Sequence, residues 1–246
     1  MAETTSTSPA TAVIADNAAR TTNKRTTWKI EAPIPADVPR IVDVQWNAQS
    51  SARMHSLFPH TESGRRYSER DYLRNVTQPK RPAADSRRPP PPETLMRVVR
   101  ERQDGPVVAF GMWRHLRVGD DWGWRAAWSP FDDIPDMSYE VAEGIFRPAR
   151  RAHMWLMEGR EHLMLEILAT MDTYQGRGIG TALVEWGNAY ADARGLPTFL
   201  LASDQGKSVY EKVGFAVQDI SALTDEKPVS VPMVRPEKET EKMEAA

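Results

Sequence analysis

The 246-residue chain is 40% hydrophobic with eight tryptophans, enough for a sizeable core, and its net charge of −2 supplies no global basic field for nucleic acid. It contains no cysteine, which excludes disulfides, thiolate nucleophiles and cysteine-ligated zinc. No apolar run approaches a membrane span and Met1 to Arg25 lack the apolar core of a signal peptide, so the expectation is a cytoplasmic or nucleocytoplasmic protein with neither nucleic-acid nor membrane partners, as a monomer or homodimer.

Residues 1–24, rich in Thr, Ala and Ser, bury too little apolar surface to offset their ordering entropy and read as a disordered tail. One domain is expected over 25–236, with 237–246 a charged, solvated tail. Trp28–Glu31 reads as a first strand, Ala36–Phe58 as a helix with Val38, Ile41, Val42, Val44 and Trp46 on its apolar side, and Ser68–Asn75 as a short second helix. Lys80–Pro92 ends in four prolines and reads as a polyproline-like connection. Leu95–Glu101 and Val107–Trp113 then flank Asp104-Gly105, a hairpin signature.

Residues 116–136 read as an irregular insertion with Trp122, Trp124 and Trp128 among acidic residues, a candidate reader of an ammonium group or an ordinary surface loop. A helix over Ser138–Glu158, disturbed at Pro148, and a strand over His162–Thr170 follow. Gly178–Arg194 carries Leu183, Trp186, Ala189, Tyr190 and Ala193 at helical steps, and Gly195-Leu-Pro197 stops it. Thr198–Ala202 reads as a strand, Lys207–Lys212 as a helix, Phe215–Gln218 as a strand and Val229–Val234 as an edge strand weakened by Pro232.

The chemistry concentrates at the junction of the His162–Thr170 strand and the helix from Gly178. A helix N-terminus presents unpaired N–H donors and the positive end of its dipole, and glycines let backbone approach phosphate oxygens. Glycines stand at 176, 178 and 180. The dinucleotide pattern G-x-G-x-x-G fails in both registers, ending on Thr181 or Leu183, and a P-loop ending at Gly206-Lys207-Ser208 lacks its leading glycine at Leu201. No HExxH is present and the five histidines are scattered, so no metal is expected.

Gln175-Gly176-Arg177-Gly178-Ile179-Gly180 fits Q-x-x-G-x-G/A. Here the sequence resembles the GNAT superfamily of acetyl-CoA-dependent N-acetyltransferases and looks particularly like its fungal small-molecule-type members. The preceding strand, Ala182-Leu183 and the downstream Val209-Tyr210-Glu211-Lys212-Val213-Gly214-Phe215 follow in the family's order, over roughly Glu161–Gln218. The resemblance implies an α/β (α+β) fold with a central mixed, mostly antiparallel sheet of about six to seven strands and helices on both faces. It places the cofactor's pyrophosphate on the backbone of Gln175, Gly176, Arg177, Gly178, Ile179, Gly180 and Thr181. It assigns free backbone groups of Leu168, Ala169 and Thr170 to the pantetheine and thioester, and Ser203 to the passing CoA arm.

Tyr210 matches the family's general acid facing the departing sulfur; a buried core aromatic is the other reading. Glu166 stands where some members place a base; a solvated or ion-paired strand residue is the other. Met171-Asp172 replaces a His-Pro pair frequent in relatives of this type. The activity implied is acetyl transfer from acetyl-CoA to a primary amine of a small molecule in a ternary complex. Protein lysine or N-terminal acetylation and a non-catalytic CoA sensor are the alternatives. Acceptor selection is expected from regions 36–78 and 116–150.

Overall fold

The structure, a computed structural model, describes residues 28–49, 51–77, 92–118, 120, 136–157, 159–223 and 229–238. The expected tail at 1–24, the proline-rich stretch through Pro91 and the insertion's Trp122, Trp124 and Trp128 lie outside them. Of the expected C-terminal tail, Glu237 pairs with Arg160 at 2.9 Å and Lys238 with Asp192 at 2.8 Å.

A seven-stranded sheet runs in the order β1-β2-β3-β4-β5-β7-β6. Its strands are β1 (Ile30–Glu31), β2 (Glu93–Arg100), β3 (Val107–Leu116), β4 (His162–Thr170), β5 (Thr198–Ala202), β6 (Ala216–Val217) and β7 (Val231–Arg235). Every neighbour is antiparallel except β4 and β5. Around it lie α1 (Val38–Ala48), α2 (Ala52–Leu57), α3 (Glu62–Thr77), α4 (Tyr139–Met157), α5 (Ile179–Asp192) and α6 (Lys207–Glu211). One core joins the sheet to α5 through Val108, Trp113, Leu163, Leu165, Ile179 and Leu183; another joins it to α1 and α3 through Ile41, Val42, Tyr72, Val98, Phe110 and Ala169. The mixed sheet between helical layers is the architecture expected.

The hairpin turn is as expected, with Asp104 taking the positive φ of 59°. Three elements differ from the reading. The helix expected over Ala36–Phe58 is a 3₁₀ turn at Pro35–Asp37 followed by α1 and α2, broken where Ser51 caps α2 by accepting from the Met54 amide at 3.3 Å. The helix expected over Ser68–Asn75 begins at Glu62 and runs to Thr77. Its buried stripe is Gly64, Ser68, Tyr72 and Asn75, so small and polar residues take the inward positions and no apolar period marks them.

The expected edge strand is an inner one: β7 lies between β5 and β6. Pro232 is tolerated there because its backbone faces β6 just past that two-residue strand, where its carbonyl accepts from the Gln218 amide at 2.9 Å. α4 runs through Pro148, whose missing amide leaves the carbonyl of exposed Gly144 to solvent.

Candidate active site

β4 and β5 pair only at Leu163↔Thr198, Met164↔Phe199 and Leu165↔Leu200, after which the two strands part. A bulge coincides with the parting. The β3 register passes from Met112↔Ile167 to Trp113↔Leu165, so Glu166 has no partner across the ladder. A bulge bends its strand and re-aims the extra residue. Beyond it, the Met171 amide donates to the Val108 carbonyl at 2.9 Å. By antiparallel alternation Ala169 therefore turns its backbone to β3, while Leu168 and Thr170 turn theirs toward the open side facing β5. Of the three backbone positions expected to be free, Leu168 and Thr170 are on that side and Ala169 is not.

The glycine loop follows. Gly176 and Gly178 have φ of 73° and 79°, the left-handed region that favours glycine, and a Cβ at either position would meet nothing within 4 Å. Gly178 is the N-cap of α5, so the first-turn amides of Ile179, Gly180 and Thr181 have no intrahelical acceptor. Gly180 is helical and packs toward Leu168, 3.7 Å from the place its Cβ would take.

The side chains of Gln175 and Arg177 brace this loop. Gln175 Nε2 donates to the Thr170 carbonyl and to Asp172 Oδ1, both at 3.1 Å, and Arg177 Nη2 to the Thr173 carbonyl at 2.8 Å. Asp172, in place of the family's His-Pro, ties the loop to α1: its amide donates to Asn47 Oδ1 at 2.8 Å. The departure from the family pattern thus carries its own anchor.

A cleft of about 590 Å³ opens where the strands part. Leu168, Glu166, Ser203 and Tyr210 all line it, so four residues selected from the sequence converge on one space. Ser203 also starts the turn into α6, its Oγ accepting from the Gly206 amide at 3.1 Å. Tyr210 is 9% exposed, edge-on to Phe215 at 6.0 Å, and burial pushes its phenol up to about 12. The remaining walls are Met54 and Phe58 around α2, Ile145 and Phe146 of α4, and Gln49 and Ser51 between α1 and α2. Both regions expected to select the acceptor therefore contribute to the cleft, among the described residues mainly through aliphatic and aromatic side chains.

Glu166 is ion-paired. Arg114 Nε donates to its Oε2 at 2.5 Å, with the two side chains 11% and 7% exposed. Arg114 also donates to Asn75 Oδ1 at 3.1 Å and to Thr94 Oγ1. Sequence reading passed over Arg114, although a lone cation inside the apolar strand Val107–Leu116 was a signal that a buried anion faces it. Among the described residues no three His, Asp or Glu side chains gather as a metal site, and no helix is long and apolar enough to cross a membrane.

The family model "Acetyltransferase (GNAT) domain" matches residues 141–217, which run from α4 through the glycine loop, α5, β5 and Tyr210 to β6. The chain carries a GNAT acetyltransferase domain. Two solved structures show the same fold. One, described as histone acetyltransferase HPA2 and related acetyltransferase from Corynebacterium glutamicum, is 18% identical, with 87% of this chain and 98% of that one covered at a TM-score of 0.53. The other, a mosquito arylalkylamine N-acetyltransferase like 5b, is 14% identical, with 85% and 100% covered at 0.55. No curated protein matches the sequence significantly. The matched residues include the parted strand β4, the bulge and the glycine loop, whereas the α1 and α2 walls of the cleft lie before them.

Proposed function

We propose that this GNAT domain transfers acetyl from acetyl-CoA to the primary amine of a small, largely apolar acceptor, by direct attack in a ternary complex. The observation that carries the reading is the single cleft holding both Glu166 and Tyr210, with the open backbone of β4 on one side and the aliphatic and aromatic wall of α2 and α4 on another. Acetyl-CoA supplies an activated acyl carbon and a thiolate leaving group. Its pyrophosphate would rest on the amides from Gly176 to Thr181, where positive-φ glycines and unpaired first-turn donors suit an anion. The outward backbone groups of Leu168 and the Thr170 amide, whose own carbonyl is taken by Gln175, would hold the pantetheine arm and the acyl oxygen. Tyr210 holds a proton at its hydroxyl throughout the neutral range and offers it to the departing sulfur. Glu166, paired with Arg114, accepts the proton of the incoming ammonium, directly or through one water.

The walls favour an acceptor with an alkyl or aryl body. Met54, Phe58, Ile145 and Phe146 give it apolar contact, and Glu166 is the one carboxylate on the lining among the described residues. The test is thiol release from acetyl-CoA across a panel of arylalkylamines, alkylamines, aminoglycosides and peptides. Turnover is expected with the first two. Turnover confined to peptides would make the chain a protein acetyltransferase, and CoA binding without turnover on any amine would make it a sensor; either result overturns the proposal.

A further inference from the structure

Adjoining the main cleft at Phe58, Glu166 and Ile167 is a second and much smaller cavity of about 30 Å³, lined also by Gln45, Asp71, Tyr72 and Arg114. A buried water needs roughly 10–15 Å³ on this measure and two to four polar partners, so the space suits one or two. The partners are present. The Tyr72 hydroxyl is buried with no hydrogen-bond partner, on a residue 3% exposed. An unpaired buried hydroxyl is costly, and a water within reach removes that cost. Gln45 adds an amide and the two acids add carboxylates.

The charges around the cavity do not balance. Arg114 pairs directly with Glu166 and acts on Asp71 only through its charge, while the Arg74 guanidinium, 3.9 Å from Asp71, belongs to a side chain that is 51% exposed. Burial pushes the Asp71 carboxyl up, Glu166 adds to the rise, and Arg114, Arg74 and Arg70 oppose it. The two acids also differ in exposure: Glu166 is 7% exposed and lines the main cleft, whereas the Asp71 side chain, also on the small cavity, is 29% exposed and does not line that cleft.

We infer that Glu166, a water in this cavity and Asp71 form the exit route for the proton that the acceptor amine sheds, with Asp71 handing it to solvent. The inference rests on the proposed amine acetylation. In the first step the ammonium N–H bond breaks, its electrons remain as the amine lone pair, and the proton forms an O–H bond on Glu166. In the second, that proton moves to the water while the water gives one of its own to Asp71, and Asp71 then releases it to bulk. One proton leaves per turnover and nothing is oxidised or reduced. Arg114 and Tyr72 are positioning residues: the first holds the Glu166 carboxylate beside the cavity, the second orients the water. Asn75 Nδ2 fixes Asp71 Oδ2 from 3.2 Å.

The experiment is Asp71→Asn, which retains an oxygen for the Asn75 contact, assayed with the best amine of the panel over the pH range. We expect kcat to fall by up to about 10²-fold near neutral pH, the deficit to shrink as pH rises and the amine arrives deprotonated, the KM for acetyl-CoA to stay put, and Asp71→Glu to restore the profile. A loss equal at every pH, or none, in a wild-type enzyme that acetylates amines overturns the relay while leaving the proposed function standing. A second measurement is independent of turnover: a high-resolution crystal structure should show an ordered water within hydrogen-bond reach of the Tyr72 hydroxyl and both carboxylates. A dry cavity, or a water that touches only one acid, overturns the relay as well.

Discussion

Arg114 on β3 grips Glu166 on the β4 bulge at 2.5 Å, fixing a carboxylate that lines the cleft between the parted strands. The two halves of this pair are predicted to fail differently. Glu166→Gln keeps the volume and a hydrogen-bond acceptor for Arg114 but removes the base. Its kcat should drop by roughly 10²–10⁴-fold, with the Kd for acetyl-CoA unchanged. Arg114→Met leaves a carboxylate buried without its cation, so the expected loss is about 3–5 kcal/mol of stability, read as a lower urea midpoint. A Glu166→Gln variant with wild-type turnover would reduce the residue to a structural partner of Arg114.

The anion loop offers a cleaner separation of binding from folding. At Gly178 a Cβ meets no atom within 4 Å, and aspartate tolerates the left-handed φ of 79° better than most residues, so Gly178→Asp should fold. Its carboxylate would stand where the pyrophosphate rests, and like charges so placed cost several kcal/mol. Calorimetric titration with CoA should therefore show affinity weakened on the order of 10²-fold or more, beside a melting temperature close to that of the wild type. Unchanged affinity in a folded variant would move the pyrophosphate elsewhere.

Much of this site was readable in the sequence because its chemistry is local. Gly176, Gly178 and Gly180 sit within five residues, the first two in the left-handed backbone region that favours glycine, and α5 declares itself by its apolar spacing. The parts that were not readable depend on register or on distant contacts. The bulge at Glu166 displaces the strand by a single residue, and His162–Thr170 is too apolar throughout for the lost alternation to stand out. Arg114 and Glu166 are 52 residues apart, and Asp71 comes from a helix whose inward stripe of Gly64, Ser68 and Asn75 has no hydrophobic signal. The break between α1 and α2 was marked only by Ser51, one serine beside another.

Trp113 is enclosed by glycine on two sides, and a Cβ added at Gly111 or at Gly187 would collide with its indole. Gly187 lies in mid-α5, where glycine is a poor helix former, so its presence reflects that contact. Gly187→Ala gains helix propensity and still should destabilise the fold by about 1–3 kcal/mol through overpacking. A raised melting temperature would mean that α5 can shift off β3 without penalty.

His153 of α4 and His162 of β4 meet at 2.8 Å through their Nε2 atoms. The His162 Nδ1 stands 2.7 Å from the Arg160 carbonyl and so carries a hydrogen, which leaves its Nε2 to accept from His153. Burial, and the neighbouring ring after it, push His153 down to about 3, and burial lowers His162 too. Both rings are therefore neutral when folded. A lowered histidine pKa favours the deprotonated folded state, so the pair's contribution is complete above about pH 6.5 and is lost as pH falls toward 3, on the order of a few kcal/mol. Denaturant titrations should find the wild type weakening across that window. In His153→Phe, which cannot take up a proton, the slope should be shallower. An equal slope in both proteins would locate the acid sensitivity elsewhere.

Tyr210 titrates in the opposite sense. Burial favours its neutral phenol and pushes the group up to about 12, so the proton it needs as an acid is present at every pH below that region. A group raised in this way adds stability that is whole below about pH 10 and disappears as pH climbs through 12. Its loss as an acid should follow the same window. For the free enzyme, the alkaline limb of kcat/KM that belongs to Tyr210 is therefore expected above pH 10, and any fall between pH 8 and 9 has another source, such as the acceptor or CoA itself. Tyr210→Phe should lower kcat by roughly 10²–10⁴-fold at neutral pH and remove the alkaline limb, while acetyl-CoA binding barely moves. The ring is 9% exposed and packs against Phe215, so phenylalanine preserves its contacts and melting should stay near wild type below pH 10. Equal losses in binding and turnover would show that Tyr210 serves packing in the cleft wall, and the departing thiolate would then have to take its proton from solvent.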